Sequence, residues 1–287
     1  MSNMERTKYA VFTMDVESFT DTECISSAGM EFSEDMLDGL DRYMAILDRY
    51  GIKATMFSVC RTALAAKDRI LSHLKNGHKL ALHSYDHKPL CDISNEEFRS
   101  QTQMAKDLLA EAFGTEILGY RAPCFGIDDD KLQILRELGF RYDSSHLGFS
   151  GARHNMSASF PGFRELRKGI LRYKDFFEFS LTRERLFGHD YPISGGGYVR
   201  LFNWGIIKSI IRDYIFKNDY YVFYLHPFEL SQSPIPYLPR LKLYDQYYLN
   251  HGLRSYPRKI EWIIQTLIRT GYRFVTFEEL SEKMQNA

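Results

Sequence analysis

The sequence predicts an α/β fold built from parallel strand–helix units. Three observations carry this. Short apolar runs rich in β-branched and aromatic residues recur through the first half of the chain. Each is followed by a longer segment with helical periodicity. After one interruption, the same rhythm returns near the C-terminus. Strands alternating with helices in this way form right-handed βαβ units in a parallel sheet or barrel.

Each element has its own local reason. Residues 9–16 form an alternating apolar strand. Residues 33–50 follow as a helix, with Ser33 as its N-cap and Gly51 as its stop. A strand at 54–59, a helical stretch to Lys75 and a strand at 79–84 come next. Ser94 and Glu97 resemble a capping box that opens a helix running to Phe113, before Gly114. A strand at 117–121, a helix at 128–138 and a strand at 140–143 complete the first half. Across 146–200 the alternation fails. This stretch contains a strand-like run at 176–181 and the triplet Gly195-Gly196-Gly197, and it reads as an elaboration of the rim, a cap over the site, within one domain spanning 1–287. The rhythm resumes with a helix at 204–216, a strand at 220–226, a helix at 257–270 and a strand at 273–277.

Composition narrows the function classes. A chain of 287 residues, 44% hydrophobic and 26% charged, has ample material for a globular core. Lys+Arg and Asp+Glu are both 37, so there is no basic excess of the kind a nucleic-acid partner requires. Aromatics reach 15%, which suits carbohydrate contacts, although most such rings belong to the core. Cys24, Cys60, Cys91 and Cys124 make no C-x-x-C pair, which excludes a zinc ribbon or dithiol redox motif. The apolar run 9–14 is too short for a signal peptide and no stretch is long enough to span a membrane, so a cytoplasmic location is expected. Oligomeric state stays open, with a homo-oligomer allowed.

Four chemistry-bearing motifs fall at the C-terminal ends of predicted strands, where α/β folds place their sites. In Asp15-Val16-Glu17 the two carboxylates share one face of an extended strand. In His83-Ser84-Tyr85-Asp86-His87 two imidazoles converge on one ion if the chain turns there; otherwise they are unrelated histidines. Arg121-Ala122-Pro123-Cys124-Phe125 is either a rigid functional turn or a structural loop carrying a surface Arg. In Leu225-His226-Pro227, His226 emerges from a strongly apolar strand as a functional group or as a satisfied core histidine.

Taken in order, the D-x-E, H-x-x-x-H, R-x-P, Y-D-S-S and L-H-P motifs resemble the polysaccharide deacetylase family (carbohydrate esterase family 4, the NodB-homology domain), in the branch associated with bacterial surface-polysaccharide synthesis. The resemblance implies a distorted, incomplete (β/α) barrel of about seven strands. It implies that Asp15 is the base, that Glu17, His83 and His87 hold one divalent metal, and that Arg121 holds the base. It also implies an oxyanion donor in the backbone N–H of Cys124, a general acid in His226, and a polar neighbour in Asp143 that orients His226 or Arg121. Zn is the expected ion, with Co or Ni suiting the same donors. Tyr198, after the glycine triplet, and Phe125 are the expected substrate-stacking rings. Three departures stand out: the family's adjacent Asp-Asp is spread here to Asp15-x-Glu17, an aromatic common after the R-x-P proline is Cys124, and most well-known members are exported whereas no export signal is expected here.

The resulting expectation is a metal-dependent deacetylase acting on an N-acetylated sugar in a nucleotide- or lipid-linked polysaccharide precursor. A hydrolase of the same fold acting on a cyclic amide or ureide, and a silent carbohydrate-binding relative, are the alternatives. Acetate release separates the first from the second, and metal content bears on the third.

Overall fold

The structure is a computed structural model in which residues 7–33, 35–147, 158–186 and 188–285 are described. Its sheet runs through β1 (Tyr9–Val16), β2 (Ala54–Ser58), β3 (Lys79–Leu82), β4 (Gly119–Tyr120) and β5 (Tyr142–Asp143), all parallel neighbours in that order. Beyond β5 come β6 (Arg164–Arg167), β7 (Ile170–Tyr173) and β8 (Phe176–Phe179); β8 is parallel to β5, while β7 and β6 extend the sheet antiparallel. A separate hairpin, β9 (Arg183–Leu186) with β10 (His189–Pro192), follows. Strand β11 (Tyr220–Phe223) pairs with the outer side of β1, and the short β12 (Arg273–Phe274) also pairs with β1.

Seven strands thus run parallel, from β11 through β1 to β5 and on to β8. No strand ladder closes β8 onto β11. The gap is bridged by side-chain and loop bonds: Val222 N–H donates to Thr182 Oγ1 at 2.7 Å, and Tyr224 N–H donates to the Ser194 carbonyl at 2.7 Å. Gly196 N–H then donates to the Tyr224 carbonyl at 2.8 Å. This is the distorted, incomplete (β/α) barrel that the motifs imply.

The segment 146–200 differs from the expected rim in one respect. Its strand-like run is β8, a member of the barrel wall, because Phe177 and Phe179 face the barrel interior and leave a ladder for β5 to complete. Residues 148–157 of that segment lie outside the described residues.

Eleven α-helices fill the connections among the described residues: α1 (Glu23–Ser26), α2 (Asp38–Asp48), α3 (Cys60–Ala65), α4 (Lys67–Lys75), α5 (Asn95–Phe113), α6 (Asp129–Glu137), α7 (Gly196–Leu201), α8 (Trp204–Lys217), α9 (Leu243–Asn250), α10 (Tyr256–Arg269) and α11 (Phe277–Gln285). The Ser94 hydroxyl caps α5 by accepting from Glu97 N–H at 3.1 Å, and Gly114 closes it in the left-handed conformation (φ 63°). Helix α2 starts later than expected. Ser33 does not cap it; instead the Asp35 carboxylate accepts from Leu37 N–H at 2.9 Å just ahead of the first turn. Helix α9 carries no clear periodic signal, whereas α11 buries Phe277, Leu280, Ser281 and Met284 at helical spacing.

Strand alternation decides which side chains meet inside the barrel. On β1, Ala10, Phe12, Met14 and Val16 pack outward against the helices, whereas Tyr9 and Val11 point inward and Thr13 and Asp15 continue that row. On β11, Tyr220, Val222 and Tyr224 face in and put His226 on the same row. Helix α11 plugs the lower barrel, with Phe277 ring centroids 4.8 Å from Phe179 and 5.9 Å from Phe57. The largely apolar floor concentrates the ionisable side chains at the upper, C-terminal strand ends.

Helix α2 approaches the loop after β11 so closely that a Cβ on Gly39 would lie 1.8 Å from the Pro227 carbonyl oxygen. Backbone cannot yield as a flexible side chain would. Gly39→Ala is expected to cost about 1–3 kcal/mol in chemical unfolding and to shift the ring resonances of the adjacent His226.

Candidate active site

The upper strand ends surround a cavity of about 470 Å³ whose walls include Asp15, Glu17, His83, His87, Cys124 and His226. Residues from four separate strand ends therefore share one pocket.

Glu17, His83 and His87 come together as a metal-type cluster, with one donor atom from each within 4.8 Å of the other two. His87 Nε2 lies 2.8 Å from Glu17 Oε2. The chain must reverse sharply to bring the second histidine back, and it does so with Ser84 (φ 66°) and His87 (φ 62°) in the left-handed region, a costly conformation for side-chain-bearing residues. The Ser84 hydroxyl accepts from His87 N–H at 2.9 Å and fixes the turn. His83 Nδ1 lies 2.8 Å from the Arg121 carbonyl and donates to it, which leaves Nε2 as the free donor; ligating histidines are oriented in this way.

Burial pushes the His83 pKa down to about 4, so its imidazole is neutral, as a ligand must be. Burial also opposes the charged form of Glu17, yet the facing His87, His226 and His83 overcome it and draw the carboxyl to about 2. For His87, burial is outweighed by Glu17, and the pKa rises. The proton held between His87 and Glu17 occupies the place where a cation would satisfy both. One carboxylate and two imidazoles are a suitable donor set for Zn, Co or Ni.

Asp15 is 1% exposed and accepts from Arg121 NH1 at 2.5 Å. Arg121 is wholly buried and makes three further bonds: Thr13 Oγ1, the Ser144 carbonyl and Ser144 Oγ each accept from it at 3.0 Å. Its guanidinium lies 4.0 Å over the Phe57 ring. It is a fixed cation that cannot turn away from Asp15.

His226 has a matching support that the sequence reading missed. Its Nδ1 lies 3.0 Å from Glu229 Oε1, and Glu229 Oε2 accepts from Arg200 Nε at 3.0 Å. Glu229 and Arg200 have no exposed side-chain surface. Burial works against the His226 imidazolium, but Glu17 and Glu229 more than compensate and raise its pKa to about 9. The clue in the sequence is the i, i+3 spacing of His226 and Glu229, with Glu229 two residues beyond the Leu225-His226-Pro227 motif.

Asp143 is placed differently from expectation. It does not hydrogen-bond to His226 or Arg121. Its carboxylate accepts from Ser145 N–H at 2.9 Å and from Ser145 Oγ at 2.8 Å, and Ser145 Oγ in turn accepts from Ala122 N–H at 2.8 Å. Asp143 therefore braces the Arg-x-Pro turn from behind. It sits across the ladder from Glu178, and burial of the two carboxyls side by side raises both pKa values. That turn carries Cys124 and Phe125 with φ of 53° and 60°, two consecutive left-handed residues beside the pocket. Phe125 lines the pocket and meets Tyr224 edge-on at 5.1 Å. Tyr198 also lines it, but from the first turn of α7; the glycines before it open a helix, and Gly195 (φ 117°) packs against the Tyr224 carbonyl where a Cβ would lie 2.2 Å away.

Fold and site together define a distorted (β/α) barrel with a carboxylate–imidazole cluster at its mouth that could hold a metal ion, and the comparisons with known proteins agree with that fold. The "Polysaccharide deacetylase" family model matches residues 27–142, and a second model, described as a domain of unknown function (DUF3473), matches residues 151–281. Among curated proteins, the chain is similar to the peptidoglycan deacetylase-like protein FGM2 of Gibberella zeae, at 28% identity over 125 residues. That match spans 43% of this chain and 37% of the relative, so little more than a third of the relative is represented. Among solved structures, a Mycobacterium smegmatis protein assigned as a polysaccharide deacetylase superposes with a TM-score of 0.61 at 18% identity, covering 99% of this chain and 93% of the other. The allantoinase Puue superposes equally well (TM-score 0.61, 15% identity, 96% and 89% covered). A family 4 acetyl xylan esterase from Clostridium thermocellum, solved with a cobalt ion, follows at 0.52 (15% identity, 95% and 90% covered). At these identities the superpositions establish the fold.

Two variants separate ligands from their neighbours. His83→Ala/His87→Ala is expected to abolish retention of Zn or Co through dialysis, as measured by elemental analysis. Asp15→Asn, which removes a carboxylate tied to Arg121, is expected to keep a stoichiometric ion; loss of the ion would make Asp15 a ligand.

Proposed function

We propose that the protein is a metal-dependent deacetylase that hydrolyses the N-acetyl group of an amino sugar in a glycan or glycan precursor. The observation that supports this most directly is the convergence, in one pocket, of the Glu17–His83–His87 cluster with a carboxylate held by a buried Arg and an imidazole held by a buried Glu. Hydrolysis of an amide needs a base for water, stabilisation of the oxyanion and an acid for the departing amine, and each has a candidate here.

Glu17, His83 and His87 would hold the ion, which when bound supplies Lewis-acid polarisation of the acetyl carbonyl and acidifies water. Asp15 takes the proton of the attacking water; Arg121 pairs with one of its oxygens and so fixes which oxygen faces the pocket. The Cys124 backbone N–H, on the left-handed turn, is the candidate donor to the developing oxyanion. His226 gives a proton to the leaving nitrogen. With Nδ1 engaged by Glu229, its Nε2 is the atom that delivers it. Because amines leave poorly unless protonated, a raised His226 pKa favours amide over ester substrates.

The allantoinase likeness keeps the ureide reading in view, but at 15% identity it concerns the fold alone. Tyr198, Phe125 and Tyr224 give the pocket several aromatic walls, which suits the apolar faces of a sugar ring better than a small planar ureide. The deciding assay is acetate release from N-acetylhexosamine oligosaccharides by the metal-loaded protein. Turnover of allantoin without acetate release would establish the other chemistry.

Two further outcomes are expected. Asp15→Asn should lower kcat by about 10²–10⁴-fold. In Glu229→Gln the imidazolium loses a carboxylate that raises its pKa, so the acid form of His226 is lost at lower pH. The alkaline limb of the kcat/KM–pH profile should therefore move to lower pH, with metal content unchanged.

A further inference from the structure

We infer that the surface beside the pocket mouth, built from the start of α8, the segment 234–242 and α9, docks on an anionic phospholipid surface. Vesicle binding needs no turnover, so this inference stands or falls apart from the proposed activity.

Large apolar side chains gather here to an unusual degree. Tyr237 is 86% exposed and Leu243 84%, and Phe202, Ile206, Tyr244 and Tyr247 are also exposed. Phe202, Tyr244 and Tyr247 line the pocket mouth itself. Tyr237 shares a surface depression with Gln246 and Asn250 of α9, which joins the patch into one face. These side chains are held outward. Pro234, Pro236 and Pro239 stiffen the segment, and Leu238, Leu241 and Leu249 anchor it in a buried cluster with Phe19 and Phe228. Tyr237, Arg240, Lys242 and Leu243 are left facing solvent.

Charge selects the occupant. The chain is neutral overall, yet residues 201–260 carry eight Lys/Arg against four Asp/Glu. Arg240 and Lys242 are exposed, and neither forms an ion pair among the described residues. A glycan explains aromatic rings in the mouth but has no use for Leu243, Ile206 or the basic pair. A second copy packed by two-fold symmetry would set Arg240 and Lys242 against themselves. An anionic bilayer satisfies both features: Tyr and Leu enter the headgroup region while Arg and Lys pair with lipid phosphates. No helix among the described residues is long and apolar enough to cross a membrane, and the contact inferred here is made by surface side chains. It would set the catalytic mouth against the headgroups, where a lipid-borne glycan presents its first sugars.

The test is co-sedimentation of the full chain with phosphatidylcholine vesicles, with and without phosphatidylglycerol. Binding is expected with phosphatidylglycerol and should be lost in high salt. Arg240→Glu/Lys242→Glu should weaken it by roughly tenfold or more, and Tyr237→Ser/Leu243→Ser should also weaken it, both with thermal unfolding and acetate release from a soluble oligosaccharide as in the wild type. Absence of wild-type binding to anionic vesicles, or indifference to the charge reversal, would overturn the inference. So would self-association in sedimentation equilibrium that Tyr237→Ser/Leu243→Ser abolishes. A raised KM for the soluble oligosaccharide with unchanged vesicle binding would make the patch a glycan platform instead.

Discussion

Asp15 and Glu17 leave β1 two residues apart, on one face and almost fully buried. At the spacing of an extended chain, roughly 7 Å, two carboxylates repel by roughly 2 kcal/mol even at an effective dielectric near 20, and desolvation adds to that cost. Much of the upper barrel serves to hold these two charges. Arg121 neutralises one from β4, and it is itself fixed by Thr13 on β1 and Ser144 after β5. His87, and by inference a cation, neutralises the other. The Arg121 carbonyl reaches back to orient His83, so one residue supports both the base and the metal cluster. A lysine in its place would supply charge but not four fixed directions.

Charge alternates across the pocket as a result. Arg121–Asp15 lies on one side and Arg200–Glu229–His226 on the other, with the cluster between them. Each functional group is gripped by a buried partner of opposite sign, and the partner is gripped in turn by backbone or hydroxyl. Such arrangements lose little reorganisation energy when charge develops on a substrate. The left-handed residues Ser84, His87, Cys124 and Phe125 sit where the chain must bend to deliver these groups, and Asp143, through Ser145, braces the second bend.

The barrel was legible because strand alternation and helix caps are local signals. Tyr9–Val16, Tyr220–Phe223, the Ser94 cap and the Gly114 stop all follow from sequence spacing. The motif residues were legible because they end strands, and the barrel brings strand ends together. What stayed hidden is non-local. Nothing in 176–179 says that β8 will pair with β5, since parallel pairing is settled by the whole barrel. Arg200 and Glu229 meet across 29 positions, and Asp143 reads as a site residue until Ser145 and Glu178 are seen to take its oxygens. Short helices such as α9 lack the length to show a period.

The division of the site between the two family matches carries a structural consequence. Residues 27–142 contain His83, His87, Arg121 and Cys124, whereas 151–281 contain Tyr198, Arg200, His226 and Glu229. Asp15 and Glu17 precede both. Two of the three cluster residues and the turn that follows them thus draw on the first match, while His226, the proposed acid, and its support draw entirely on the second. These halves are not separable bodies: β8 of the second pairs with β5 at the end of the first, β2 of the first and β11 of the second both pair with β1, and Gly39 of α2 packs against Pro227, beside His226. The stretch described as a domain of unknown function therefore completes the barrel wall and carries His226, the proposed proton donor. Its exposed rings Phe202, Tyr244 and Tyr247 line the same mouth. Variation in this half would change how substrate is presented and how the leaving amine is protonated without touching a metal ligand.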